Sequence, residues 1–188
     1  MSKKEDEKNL AYVTDKGVIY NDYQVDNYRF VYKNYIKNPK VIDMLRDLNL
    51  YIDKLDNKIY IHSNNYSDYP FSPRVVYIGN KLSLVGDVNY SASNWLFIEG
   101  MTVSVDGKLY NFDTLKFDRE VKSGGISETS LLTLGEPEIA MIKNIIKSKN
   151  SFVRFNGRKY YNEIEITKEA KQQMLEILKV YYLSKNTK

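Results

Sequence analysis

Two periodicities alternate in the last third of the chain. Gly135-Glu136-Pro137 puts a proline and an early acid where a helix starts, and Ile139, Ile142 and Ile146 then recur on one helical face. Beyond it, Phe152-Val-Arg-Phe and Arg158-Lys-Tyr-Tyr flank Asn156-Gly157, a dipeptide suited to a two-residue hairpin turn. That turn predicts the pairs Phe155 with Arg158, Arg154 with Lys159, and Phe152 with Tyr161. Thr167 is a helix cap, and Ala170, Met174, Ile177, Leu178 and Tyr181 make a second amphipathic helix.

The same reading applied from the front gives a charged tail over residues 1–10, then six tyrosines among Asn, Asp and Lys over 11–36, with a strand expected at 26–32. Asn38-Pro39 starts a helix, and Val41, Ile42, Leu45, Leu48 and Ile52 carry its spacing over 39–54. Lys58–His62 reads as a strand. Residues 63–73, with two prolines, read as a loop. Arg74–Ile78, Leu82–Val85 and Trp95–Ile98 read as further strands. Met101–Val105 and Lys108–Phe112 alternate across Asp106-Gly107, which sets Val105 against Lys108, Val103 against Tyr110 and Met101 against Phe112. Ser123-Gly124-Gly125 reads as a flexible joint.

The fold class is therefore α+β: an antiparallel sheet or sandwich of hairpins, with one N-terminal helix and two helices in the C-terminal module. The domain reading is a tail at 1–10, a tyrosine-rich segment plus helix at 11–55, and a β-rich domain at 56–188. No internal repeat is visible.

Composition narrows the chemistry more than the architecture. At 188 residues with 43% hydrophobic and 13% aromatic content, the chain has material for one buried core. There is no cysteine, which removes disulfides, thiolate nucleophiles and cysteine-based zinc sites. The first residues carry charges of both signs with no apolar run behind them, and no stretch has the roughly 20 apolar residues of a membrane span. The expected location is the cytoplasm of a bacterial or phage-infected cell. A net charge of +4 is mild and needs no partner.

Asn94-Trp95-Leu96-Phe97-Ile98, Val105-Asp106-Gly107-Lys108-Leu109-Tyr110, Val153 to Tyr161 and Ile166-Thr167-Lys168 occur in an order that resembles a loose family of small bacterial and phage proteins, often lipoproteins. Its pattern is a "WLFI" strand, a "DGK-Y" hairpin, an "RF-G-YY" hairpin and a closing helix, and it spans residues 56–183 here. The resemblance implies no enzymatic activity, so it carries over no catalytic residue. The charged tail and the extra front segment depart from the family's envelope setting and favour a cytoplasmic protein whose front segment is adapted to a new partner.

Candidate chemistry is sparse. His62 is the single histidine and reads as a polar surface residue rather than a base or metal ligand. Asp113, Glu120 and Lys122 faintly suggest a metal-dependent nuclease but read better as solvated loop charges. Glu163 and Glu165 read as a solvated strand face. No phosphate-binding loop, zinc-protease helix or nucleophile elbow occurs, and no cofactor or metal is implied. The most suggestive surface gathers Phe152, Arg154, Arg158, Lys159 and Tyr161 on the second hairpin, although ordinary cross-strand packing with cation–π contacts on a solvated sheet is the favoured reading of that group; Tyr20, Tyr23 and Tyr28 are a second candidate contact surface. The expected function is a non-enzymatic protein-binding module, a phage or prophage accessory protein that inhibits a host or bacterial protein. Nucleic-acid binding through the basic and aromatic hairpin face is the alternative, and a nuclease the remote one.

Overall fold

The structure, a computed structural model, describes residues 39–53, 55–79 and 81–185. The expected tail, the expected strand at 26–32 and Tyr20, Tyr23 and Tyr28 lie outside these residues.

Among the described residues, ten antiparallel strands form two sheets. The larger contains β1 (Asn49–Asp53), β2 (Lys58–His62), β3 (Phe71–Ile78), β4 (Lys81–Ala92), β7 (Asp118–Lys122) and β8 (Gly125–Thr133), in the order β1-β2-β3-β4-β8-β7. The smaller contains β5 (Ile98–Val105), β6 (Lys108–Phe112), β9 (Ser151–Gly157) and β10 (Tyr161–Glu165), in the order β10-β9-β5-β6. A short helix α1 (Pro39–Met44) precedes them, α2 (Glu136–Lys147) links β8 to β9, and α3 (Lys168–Lys185) follows β10. The α+β class and the C-terminal helices are as the periodicities imply.

One apolar core joins these parts. Phe71, Val75 and Tyr77 alternate towards one face of β3, and α3 lies against that strand and β4 through Met174, Ile177 and Val180. Across the sheets, the Phe155 ring meets Tyr90 at 5.4 Å and Phe117 at 6.5 Å, both edge to face. Met101, Val103 and Val153 complete the smaller sheet's inner face.

Several elements differ from the sequence expectation. The helix expected over 39–54 ends at Met44, tightens into a 3₁₀ turn at Leu45–Asp47, and gives way to β1. Val41, Leu45 and Leu48 do face the core, but pairing with β2 captures Leu50 and Ile52 in a strand. The boundary placed at 55 thus falls inside the β1–β2 hairpin. Phe71–Pro73 belongs to β3 rather than to the preceding loop; β2 pairs only with residues 75–78, so Pro73 sits where β3 has one neighbour, a position that tolerates proline. Glu120 and Lys122, expected as loop charges, lie on edge strand β7, where every residue is exposed, and Ser123-Gly124 is the tight turn into β8 rather than a flexible joint. The strand expected to start at Trp95 starts at Ile98. Among the described residues, no helix is long and apolar enough to cross a membrane.

Candidate interaction site

The two hairpins of the smaller sheet turn differently. In β5–β6, Val105 faces Lys108, Val103 faces Tyr110 and Met101 faces Phe112, as expected. In β9–β10, Tyr161 faces Asn156, Glu163 faces Arg154 and Glu165 faces Phe152. The expected pairs Phe155–Arg158, Arg154–Lys159 and Phe152–Tyr161 do not form. Asn156 and Gly157 are strand residues, and the turn is made by the next residues, with Gly157 N–H donating to the Tyr160 carbonyl at 2.9 Å.

The displacement matters for the chemistry. Arg154 keeps Tyr161 on its face, with the guanidinium 4.8 Å from the ring centre, but it also meets the Glu163 carboxylate at 2.9 Å. Phe152 is half-buried on the same face. Arg158 and Lys159 stand at the tip instead of on the strand, and Arg158 reaches Glu99 at 3.1 Å. Two of the three cations are thus met by acids, Arg154 by Glu163 and Arg158 by Glu99, and Lys159 stands at the tip.

At this tip, Arg158, Lys159 and Tyr160 close one side of a cleft of about 300 Å³ whose other side is Trp95, Leu96 and Phe97. Trp95 and Phe97 stack at 6.1 Å. Phe97 is 47% exposed and Tyr160 74%. Phe97 also has φ of +53°, a left-handed conformation that side chains other than glycine adopt at a cost.

Glu128 on β8 holds that conformation. It is 0% exposed, and its Oε1 accepts the backbone N–H groups of Leu96 (2.8 Å) and Phe97 (2.9 Å). Its Oε2 accepts those of Ile98 (2.9 Å) and the Arg119 Nε–H (2.9 Å). Arg119, from β7, donates onward to the Ile98 carbonyl at 3.0 Å and places its guanidinium 5.7 Å from the Phe97 ring centre. A buried carboxylate with four donors is fully compensated, and charge-assisted bonds of this kind are stronger than neutral ones. Gly157 completes the fit: a Cβ there would lie 2.2 Å from the Leu96 carbonyl oxygen. Arg158 N–H then donates to the Phe97 carbonyl at 3.2 Å.

A second cleft, of about 350 Å³, lies on the outer face of the larger sheet among Tyr51, Tyr60, His62, Tyr66 and Arg74. The His62 ring lies 4.1 Å from that of Tyr66, tilted by 53°, its Nδ1 is 3.1 Å from the Ser63 carbonyl oxygen, and the residue is half-buried rather than a free surface residue. Burial lowers its pKa, with the Arg74 charge adding to that effect against the Ser63 contact. Asp113 follows β6 of the smaller sheet, whereas Glu120 and Lys122 lie on β7 of the larger, 3.8 Å apart. Among the described residues, no three His, Asp or Glu side chains converge in a group able to hold a metal ion.

The sequence pointed to Arg158 and Lys159 but not to their neighbours Trp95 and Phe97, nor to Glu128 and Arg119 behind them. The signal for the first pair was faint: a single Trp followed by two large apolar residues that the structure leaves partly exposed. For Glu128 there was none, since an acid in a strand of Ser and Thr reads as solvated. Comparison with protein-family models, curated proteins and solved structures finds no match.

Proposed function

We propose that the chain is a non-enzymatic module that binds another protein through Trp95, Phe97, Arg158, Lys159, Tyr160 and Tyr161. The observation carrying this reading is the Glu128 carboxylate, which locks the backbone of residues 96–98 so that an aromatic pair stays partly exposed beside a basic tip. Trp, Tyr and Arg are the residues that dominate protein–protein hot spots, and a pre-organised surface loses less entropy on binding. The ion pairs of Arg154 with Glu163 and of Arg158 with Glu99 favour a protein over a nucleic acid, whose phosphates need uncompensated cations. The resemblance to small bacterial and phage proteins supports a host or bacterial protein as the partner class, with its inhibition as the consequence.

The experiment is site-specific photocrosslinking in host cells with p-benzoylphenylalanine in place of Tyr160, and in place of Leu109 as an exposed control on β6. The expected result is one stoichiometric adduct at position 160 alone, abolished by Trp95→Ala or Lys159→Glu in the same chain. Adducts that are equal at both positions, or that disappear on nuclease treatment, contradict it.

A further inference from the structure

Helices α2 and α3 run antiparallel, with Lys185 near Glu136 at one end and the Lys171 ammonium on the Ser148 carbonyl at the other. Their buried sides reach the core through Ile142, Ile145, Met174 and Ile177. Their outer sides diverge into a groove of about 420 Å³ whose floor is Ile146, Leu175, Leu178 and Tyr182. Lys143 and Lys147 stand along the α2 wall and Lys179 along the α3 wall, and among the described residues no acid lines it. The Lys143 ammonium lies 4.9 Å from the Tyr182 ring centre, which sets it at the groove's edge.

The geometry points to this groove as the docking site for an acidic amphipathic helix of a partner protein, a surface separate from the Trp95–Tyr160 tip. An apolar trough between two helices receives the apolar stripe of a third, through anchors at i, i+3 or i+4, and i+7. The charge distribution selects the occupant. Lys143 and Lys147 are one turn apart, about 6 Å along α2 at the helical rise per residue. With Lys179 opposite, the cations flank both walls rather than gathering at one end, so they match carboxylates on both sides of an apolar stripe and not one headgroup on a single chain. A second copy using the same groove would set lysine against lysine.

The probe is a fluorescein-labelled synthetic peptide of roughly 16 residues, with leucines at i, i+4 and i+7 and glutamates at the flanking positions. Its anisotropy is followed on titration with the full chain at physiological salt. Saturable binding is expected, weakened about tenfold or more by the combined K143E, K147E and K179E variant and similarly by a scrambled peptide of the same composition. Leu175→Asn, at a half-buried position, serves as the apolar counterpart and should weaken binding with the circular dichroism spectrum intact. No saturable binding, equal binding by the charge-reversed variant, or equal binding of the scrambled peptide would overturn the proposal. So would preferential binding to phosphatidylglycerol vesicles.

Discussion

Glu128 and Asp87 are buried acids on neighbouring strands of the same sheet, pointing to opposite faces, and they are treated very differently. Glu128 accepts four hydrogen bonds, three of them from consecutive backbone amides. Asp87, 6% exposed, has the Arg74 Nε at 3.4 Å, and neither that nitrogen nor Asp87 Oδ2 completes a hydrogen bond. Burial pushes the Asp87 carboxyl up to about 6, against the opposing pull of Arg74. Proximity to a guanidinium is thus insufficient to offset desolvation when the geometry is poor. The well-compensated charge is the one that holds the exposed aromatic loop.

The largest effect should come from Glu128→Gln. It leaves Arg119 without its carboxylate and turns one acceptor oxygen into a donor facing the backbone amides. A loss of about 3–5 kcal/mol is expected in urea denaturation, together with altered Trp95 fluorescence. A loss below about 1 kcal/mol would place Glu128 in the same class as an exposed ion pair and erase the contrast.

Asp87→Asn should move stability the other way. Because the folded pKa lies above the unfolded one, the unfolded chain releases this proton first as pH rises. The Asp87 contribution is therefore most favourable below the unfolded value and falls away through about pH 6. Removing the titration should stabilise the protein at pH 7 by roughly 2–3 kcal/mol and flatten the stability profile between about pH 4 and 6. A destabilised variant with an unchanged profile would show that Arg74 compensates Asp87 after all.

A smaller pair of substitutions sharpens the account of the loop. Gly157→Ala places a methyl group against the Leu96 carbonyl and should cost about 2 kcal/mol or more. Gly107→Ala has open space around it and a φ of +88°, so about 1 kcal/mol is expected. Equal losses by thermal denaturation would remove the close approach from the argument.

Those two glycines also show what was legible beforehand. Asp106 and Gly107 have φ of +48° and +88°, the turn that Asp-Gly favours by local chemistry alone, so the β5–β6 register followed from the sequence. Gly157 is absent from the left-handed region; it stands where a distant segment, Leu96, passes too close for a side chain. A contact between remote segments leaves no local trace, and the Asn-Gly reading misplaced the turn. The register moved by four residues, with Phe152 facing Glu165 instead of Tyr161. An even shift preserves the alternation of faces, so Arg154 and Tyr161 still share one, while Lys159 left the strand for the tip. The C-terminal helices were legible from Ile139, Ile142, Met174 and Ile177 because their apolar stripe is continuous. The β7 strand was not, since Asp118–Lys122 is exposed throughout and carries no alternation.

The central claim, a locked display of Trp95 and Phe97, is tested most directly by amide hydrogen exchange at Leu96, Phe97 and Ile98. Although Leu96 and Phe97 lie outside any strand, all three amides should exchange as slowly as those within β5, and Glu128→Gln should release them while β3 and β4 stay protected. Open-chain exchange rates at these three amides in the unaltered protein would contradict the account.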